Sequence, residues 1–251
     1  MRLGARALAI LAAFLGCTPL HFLWRLFGAR SPWPRLFLGF AARRCGLAVT
    51  IDGVPLTANV LYAVNHVSWL DILIVGGAVP AIFVARADVG NWPGVGMAAK
   101  LNDTIFIERD IRRTVQGQAN SLREALAAGR AVALFPEGTT EAGREVLPFR
   151  ASLFASLFPA LPGVMVQPVA IDFGACFDEA SWVGDETYGM NAKAILSRPG
   201  RLPVTLHFLA PIDPHAAGDR KRLAAEARDE VVAALGAFTA EGVPRGGERS
   251  N

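Results

Sequence analysis

Cysteine is scarce in these 251 residues: Cys17, Cys45 and Cys176 stand far apart with no C-x-x-C pair, so neither a zinc site nor a disulfide framework is indicated. A reducing compartment is the simpler expectation. Histidine is as sparse, and His21, His66, His207 and His215 do not recur at metal-ligand spacing. A G-x-G-x-x-G following a strand is missing, since Gly94 and Gly96 alone do not make that motif, and no dinucleotide is implied. G-x-S-x-G is absent too, which removes the serine nucleophile of the common hydrolases. No metal and no cofactor is expected. Lysine is nearly missing, at positions 100, 193 and 221 among 25 cationic residues, a bias that base composition alone produces.

What the chain has in quantity is apolar surface, 52% of its residues with a mean hydropathy of +0.34. That is greasy for a soluble protein and too low for one that crosses a membrane many times, so a globular body that touches lipid is expected. Charge is divided along the chain. Arg2, Arg6, Arg25, Arg30, Arg35, Arg43 and Arg44 all precede the first acidic residue, Asp52, which leaves 18 cations against 22 anions in the remainder. A basic arm on a mildly acidic body favours an anionic membrane surface, and no nucleic-acid partner is expected.

Inside that arm, Ala7 to Trp24 is uncharged, and at ~1.5 Å per residue it reaches about 27 Å as a helix, barely the thickness of a bilayer core. A second apolar segment, Leu36 to Cys45, follows the Pro32/Pro34 break. The favoured reading is two short helices lying in one leaflet. A true span and a cleaved signal ending near "FLGC" at 14–17 are the alternatives, the last weakened by bulky Leu15 and by the lack of a polar linker.

Beyond Asp52, short β-rich runs alternate with longer helical ones, the pattern of an α/β fold. Strands are predicted at Val60–Val64, Ala81–Ala85, Thr104–Glu108, Ala131–Phe135, Val164–Ile171 and Val204–Leu209, with helices clearest over Thr114–Ala128 and Arg220–Phe238. No linker divides the run. The expectation is one α/β domain over 51–240 with a central mixed sheet flanked by helices, a membrane-binding two-helix arm over 1–50, and a disordered tail over 241–251.

In "VNHVSWLDILIVGG" at 64–77, His66 falls just past a predicted strand and before a helix starting near Ser68, where open α/β sheets gather their active sites. Two bland readings compete: Ser68 and Asp71 as a capping box, and His66 as a satisfied loop histidine. "TIFIERD" at 104–110, "FPEGTT" at 135–140 and "QPVAID" at 167–172 also end predicted strands. In this order and at these separations the four blocks resemble those of the glycerophospholipid acyltransferase family, whose bacterial members make phosphatidic acid from lysophosphatidic acid. The likeness runs from about Asp52 to Pro211, and N-H-x-x-x-x-D with F-P-E-G-T is its specific part. The arm also resembles the membrane-binding helix pair of bacterial members.

The residue types suit acyl transfer. Moving an acyl group from a thioester to an alcohol needs a base near neutral pH, which the imidazole of His66 supplies, while a carboxylate at Asp71 fixes its tautomer. Without a nucleophilic serine, the acceptor hydroxyl itself would attack. The resemblance further implies Arg109 as partner of the acceptor's phosphate, Glu137 as a hydrogen-bonding group for its glycerol, the Gly138 and Thr139 backbone as part of the substrate site, and Arg86 as an auxiliary basic residue. The chain departs from the common form of the third block at Thr140, where many relatives carry arginine. With "LPFRASLF", "NWPGVGMAAKLNDTIFIERD" and "GRLPVTLHF", it is more similar to the branch that includes lyso-ornithine lipid acyltransferases.

The resemblance, joined to these features, implies transfer from acyl-CoA or acyl carrier protein to lysophosphatidic acid, the commoner role in the family, at the cytoplasmic face of a bacterial inner membrane. Lyso-ornithine lipid is the alternative acceptor. A non-catalytic lipid-binding protein and a lipoprotein processed before Cys17 remain as further readings.

Overall fold

Val60–Val64 is apolar without interruption, which suits a strand covered on both faces, and in the computed structural model every residue of it is buried. Its side chains alternate between two cores. Val60, Tyr62 and Val64 join Leu70, Ile74 and Phe208 on one face, and Leu61 and Ala63 join Leu126, Phe154 and Leu223 on the other. The structure describes residues 2–28, 30–92, 94–107, 112–140, 144–184 and 186–241.

In chain order the elements are α1 (Arg2–Arg25), α2 (Trp33–Arg44), β1 (Leu47–Gly53), β2 (Val60–Val64), α3 (Leu70–Ala78), β3 (Ala81–Arg86), α4 (Val95–Leu101), β4 (Ile105–Ile107) and α5 (Arg112–Ala127). There follow β5 (Ala131–Leu134), β6 (Met165–Asp172), α6 (Phe177–Ala180), α7 (Tyr188–Ser197), β7 (Leu202–Phe208), α8 (Pro214–Ala217) and α9 (Arg220–Glu241). The strands form one sheet in the order β1-β7-β6-β2-β5-β3-β4. β6 to β4 are mutually parallel, while β7 runs antiparallel to β6 and parallel to β1. The mixed α/β sheet flanked by helices is as expected, and its parallel part puts the ends of β2, β3, β4, β5 and β6 on one edge.

Strand β1 is the element that the sequence reading left inside the arm. It pairs with β7 from Leu47↔Leu202 to Gly53↔Phe208, so the sheet begins before the boundary drawn at residue 50. The arm's first helix is also longer than the uncharged stretch, since α1 runs 24 residues through Pro19. By length and composition it is apolar enough to cross a membrane.

The hairpin of α1 and α2 is fastened to the body by close contact and by arginines. Gly39 of α2 meets Gly77 of α3 so closely that a Cβ on Gly77 would sit 2.6 Å from the Gly39 Cα. Arg6 donates to the Ile195 and Leu196 carbonyls near the end of α7 at 3.3 and 3.4 Å, and Arg35 donates to the Ala78 carbonyl ending α3 at 2.9 Å. Carbonyl ends of helices carry partial negative charge, so guanidinium is suited to them. Leu8, Leu11, Leu15, Phe22, Leu23, Leu26 and Phe27 stay exposed along the hairpin. Of the predicted tail, residues 242–251 lie outside the described residues.

Candidate active site

Past the end of β2 the chain turns through Asn65, His66 and Val67 before α3 begins. Asn65 is buried and extends the strand pairing with its side chain: its Oδ1 accepts from the Ile171 N–H at 2.7 Å and its Nδ2 donates to the Ile171 carbonyl at 3.2 Å. That clamp on β6 fixes where His66 starts. Trp182 adds a second anchor, donating its backbone N–H to the Val67 carbonyl at 3.1 Å.

His66 and Asp71 are brought together as the spacing requires, with Nδ1 2.9 Å from Asp71 Oδ2. The same oxygen accepts from the N–H groups of Val67 at 2.7 Å and Ser68 at 2.9 Å. Asp71 is fully buried, and its Oδ1 has no partner among the described residues. A carboxylate oxygen only accepts, so Nδ1 carries the imidazole proton and the lone pair is on Nε2. The imidazole lies on the Phe135 ring at a centroid distance of 4.2 Å and an interplanar angle of 20°. Phe135 in turn stacks against Phe83.

Only half of the capping box proposed for this turn is formed, the bond from the Ser68 N–H to Asp71 Oδ2. Helix α3 begins at Leu70 with Trp69 as its N-cap and no side-chain cap bond, and the Ser68 hydroxyl is buried without a partner among the described residues. Asp71 faces back into the turn and satisfies loop N–H groups as well as His66, so one carboxylate both shapes the turn and orients the ring.

Glu137 lies in the turn after β5, the strand beside β2. It is buried, and both of its oxygens have backbone partners: Oε1 accepts from the His66 N–H at 2.7 Å and Oε2 from the Leu147 N–H at 2.8 Å. Burial pushes its carboxyl above the usual carboxylate range, a rise that the two N–H donors oppose. The geometry makes it a strut joining the His66 turn to the segment at 147, a use that the resemblance did not imply.

Gly138 turns with φ +74°, a left-handed conformation that suits glycine, and Thr139 follows it at the same sheet edge. Arg86 ends β3 on that edge and pairs with Asp88 at 2.9 Å, both side chains being well exposed. Arg109 lies outside the described residues, beyond β4. Asn65, Phe135 and the Leu147 backbone were not singled out from the sequence. The N of N-H-x-x-x-x-D was a signal for the first, whereas nothing local marks the ring that stacks on His66 or an N–H ten residues past Glu137.

Trp69, Trp92, Trp182 and Tyr188 form an aromatic cluster beside this turn, with centroid distances from 5.4 to 6.3 Å. Trp69 Nε1 donates to Asn191 Oδ1 at 2.8 Å. No group of three or more His, Cys, Asp or Glu side chains is placed to hold a metal among the described residues.

The chain is similar to known proteins. A family model described as Acyltransferase matches residues 47–172, the span from β1 to the end of β6. Lyso-ornithine lipid O-acyltransferases are similar over most of their length: that of Rhizobium meliloti is 34% identical over 80% of this chain and 74% of its own, and that of Brucella abortus 33% identical over 90% and 91%. A 1-acyl-sn-glycerol-3-phosphate acyltransferase of Neisseria gonorrhoeae is 37% identical over 53% of this chain and 51% of its own. The crystal structure of the 1-acyl-sn-glycerophosphate acyltransferase of Thermotoga maritima has the same fold, with a TM-score of 0.63 at 20% identity over 97% of this chain and all of that one.

Proposed function

The chain belongs to the acyltransferase family, and we propose that it moves an acyl group from a thioester to the free hydroxyl of a lysolipid, with His66 as the base. The observation that carries the mechanism is the contact of His66 Nδ1 with buried Asp71, which leaves the lone pair on the outward Nε2. The acceptor hydroxyl gives its proton to Nε2 as its oxygen attacks the thioester carbonyl. The carbon–sulfur bond breaks, the new ester forms, and the proton leaves on the thiol. The buried carboxylate stabilises the imidazolium that forms between those events. Glu137 acts as a positioning residue by holding the His66 backbone.

Lyso-ornithine lipid is the acceptor we favour. Relatives named for that reaction match this chain over most of both lengths, whereas the Neisseria acyltransferase named for the glycerophosphate reaction matches about half. Thr140, in place of the arginine common in the third block, agrees with an acceptor that has less negative charge. Lysophosphatidic acid is the second reading, supported by Arg109 in the second block. The donor in this reading is acyl-CoA or acyl carrier protein, and the exposed apolar hairpin with its arginines supports a site of action at an anionic membrane surface, which we assign to the cytoplasmic face of a bacterial inner membrane.

Purified enzyme offered both acceptors with one thioester tests the choice. Ester formation on lyso-ornithine lipid is expected. Acylation confined to lysophosphatidic acid overturns that acceptor, and in that case Arg109→Ala raises KM at least ~10-fold through loss of a charge-assisted contact. Binding of lysolipid with no thioester consumed overturns the enzymatic reading itself.

A further inference from the structure

Away from His66, the other edge of the sheet holds a large basic cavity. It has a volume of about 510 Å³ and lies where the parallel strands begin: Thr57 precedes β2, Ala81 opens β3 and Arg130 precedes β5. The length of β2, roughly 16 Å at ~3.3 Å per residue, separates this edge from the acyl-transfer site. Arg25, Arg30 and Arg35 enter its lining from the hairpin and Arg130 from the body, against one carboxylate, Asp103.

The guanidiniums are held in place. Asp103 takes Arg25 on Oδ1 and Arg130 on Oδ2, each at 3.1 Å, while Arg30 donates to the Ala128 carbonyl and Arg35 to the Ala78 carbonyl, each at 2.9 Å. Each guanidinium has five N–H donors, so these contacts orient the forks and leave donors for a ligand. His21 lines the same cavity at 4% exposure. Its Nδ1 lies 2.9 Å from the Ser31 hydroxyl, whose oxygen accepts from the Trp33 N–H. His21 Nε2 is buried with no hydrogen-bond partner among the described residues.

Beside the cavity, the hairpin tip carries Leu26 and Phe27, 81% and 79% exposed. Apolar tips beside a ring of arginines match the layering of a membrane surface, where acyl chains lie just beneath a plane of phosphates. We propose that the cavity is a binding site for the phosphate of an anionic membrane phospholipid, separate from the site of acyl transfer. Guanidinium forks suit phosphate oxygens bidentately, and the body's Arg130 makes the site depend on hairpin and body together. The inference rests on the membrane reading of the hairpin and not on the identity of the acceptor. A carrier protein is the poorer occupant, because a thioester delivered at this edge faces away from His66.

The test is binding of the full chain to phosphatidylcholine vesicles with and without phosphatidic acid, in the absence of acyl donor, so that failure of the acyltransferase reading leaves the result intact. The double variant Arg35→Lys/Arg130→Lys keeps the charge and removes two forks. Its dissociation constant for phosphatidic acid vesicles is expected to rise on the order of 5-fold or more, with binding to phosphatidylcholine alone and the behaviour of Arg220→Lys unchanged. The single variants, each checked by thermal unfolding, are expected to show smaller rises, which covers a folding failure of the pair. Wild-type affinity in the folded lysine variants would overturn the site in favour of diffuse attraction. Glycerol 3-phosphate binding as tightly without vesicles would assign the cavity to a free metabolite, and loss of carrier-protein binding alone would assign it to the donor.

Discussion

His66 and His207 each present Nδ1 to an aspartate Oδ2 at 2.9 Å, yet the two pairs face opposite ways. In the first the histidine side chain is 20% exposed and the aspartate 0%; in the second the histidine is 6% exposed and the aspartate 63%. Asp52 and His207 are neighbours across β1 and β7, in register, and the His207 Nε2 is buried. A base needs its orienting carboxylate away from water, where the attraction is strong, and its free nitrogen within reach of substrate. The first pair, with its aspartate buried and its histidine partly exposed, fits the role we propose for it, and the second has the reverse burial. The contact distance therefore says nothing about catalysis; the direction of burial does.

The largest effect that separates the pairs is on turnover. His66→Ala is expected to lower kcat by ~10²–10⁴, the usual worth of a general base, with an unfolding midpoint near that of the wild type. His207→Ala is expected to do the reverse, weakening the fold while each folded molecule keeps its turnover. Steady-state kinetics with denaturant titrations of both proteins measure the contrast, and equal turnover losses would show that the second pair also serves the reaction.

Asp71→Asn comes next. An amide oxygen can take the place of Oδ2 but carries no full charge, so it accepts more weakly from Nδ1–H, Val67 N–H and Ser68 N–H and gives the imidazolium no counter-charge. We expect kcat to fall by at least ~10²-fold and stability by about 1–3 kcal/mol, the cost of disturbing buried charge-assisted hydrogen bonds. A variant with wild-type kcat would reduce Asp71 to a turn former.

These outcomes bear on how much was legible in the residues. The meeting of His66, Asp71 and the F-P-E-G-T block was, because these blocks follow parallel strands and a parallel sheet delivers such ends to one edge. Arrangements set by distant partners were not. Leu47–Gly53 alternates like a strand, but it is an edge strand whose Val49 and Ile51 stay exposed, so its pattern merged with the greasy arm. Ser68 and Asp71 have the spacing of a capping box, and Asp71 does accept from the Ser68 N–H, but the same oxygen also takes the Val67 N–H and His66 Nδ1 while the Ser68 hydroxyl stays out, an outcome that spacing cannot rank. Glu137 was visible in F-P-E-G-T, while its tie to the Leu147 N–H depends on a loop that closes after β5.

Glu137→Gln sharpens the comparison through pH. The substitution keeps the shape and replaces one acceptor by a donor facing a backbone N–H, for an expected loss of about 1–3 kcal/mol. Burial holds the folded pKa above the ordinary value, so the native state binds the extra proton first and this group's contribution is greatest below the ordinary carboxylate range and is lost as pH rises through the raised value. The wild type should therefore gain on the glutamine variant as pH is lowered from neutrality to the ordinary carboxylate range. Denaturant midpoints across that range measure it, and a gap that narrows on acidification would contradict the burial.

The smallest effect belongs to Asp52→Asn, and its pH dependence has the opposite sign. The hydrogen bond from His207, joined by the charge of that ring, holds the Asp52 carboxyl below its usual range. A lowered folded pKa means that the unfolded chain takes up the proton first, so the contribution is present above the ordinary carboxylate value and is lost as pH falls through the lowered one. Because Asp52 sits in water, solvent and salt screen the pair, and the shift in unfolding midpoint should be the least of the series. Wild type and variant are expected to differ at neutral pH, to converge below about pH 4, and to share the same kcat throughout. His66 depends on a carboxylate that water does not reach, whereas His207 depends on one that water surrounds, so added salt should erase the Asp52→Asn difference while leaving that of Asp71→Asn in place. If salt erased both, the burial of Asp71 would lose its place in the mechanism proposed for His66.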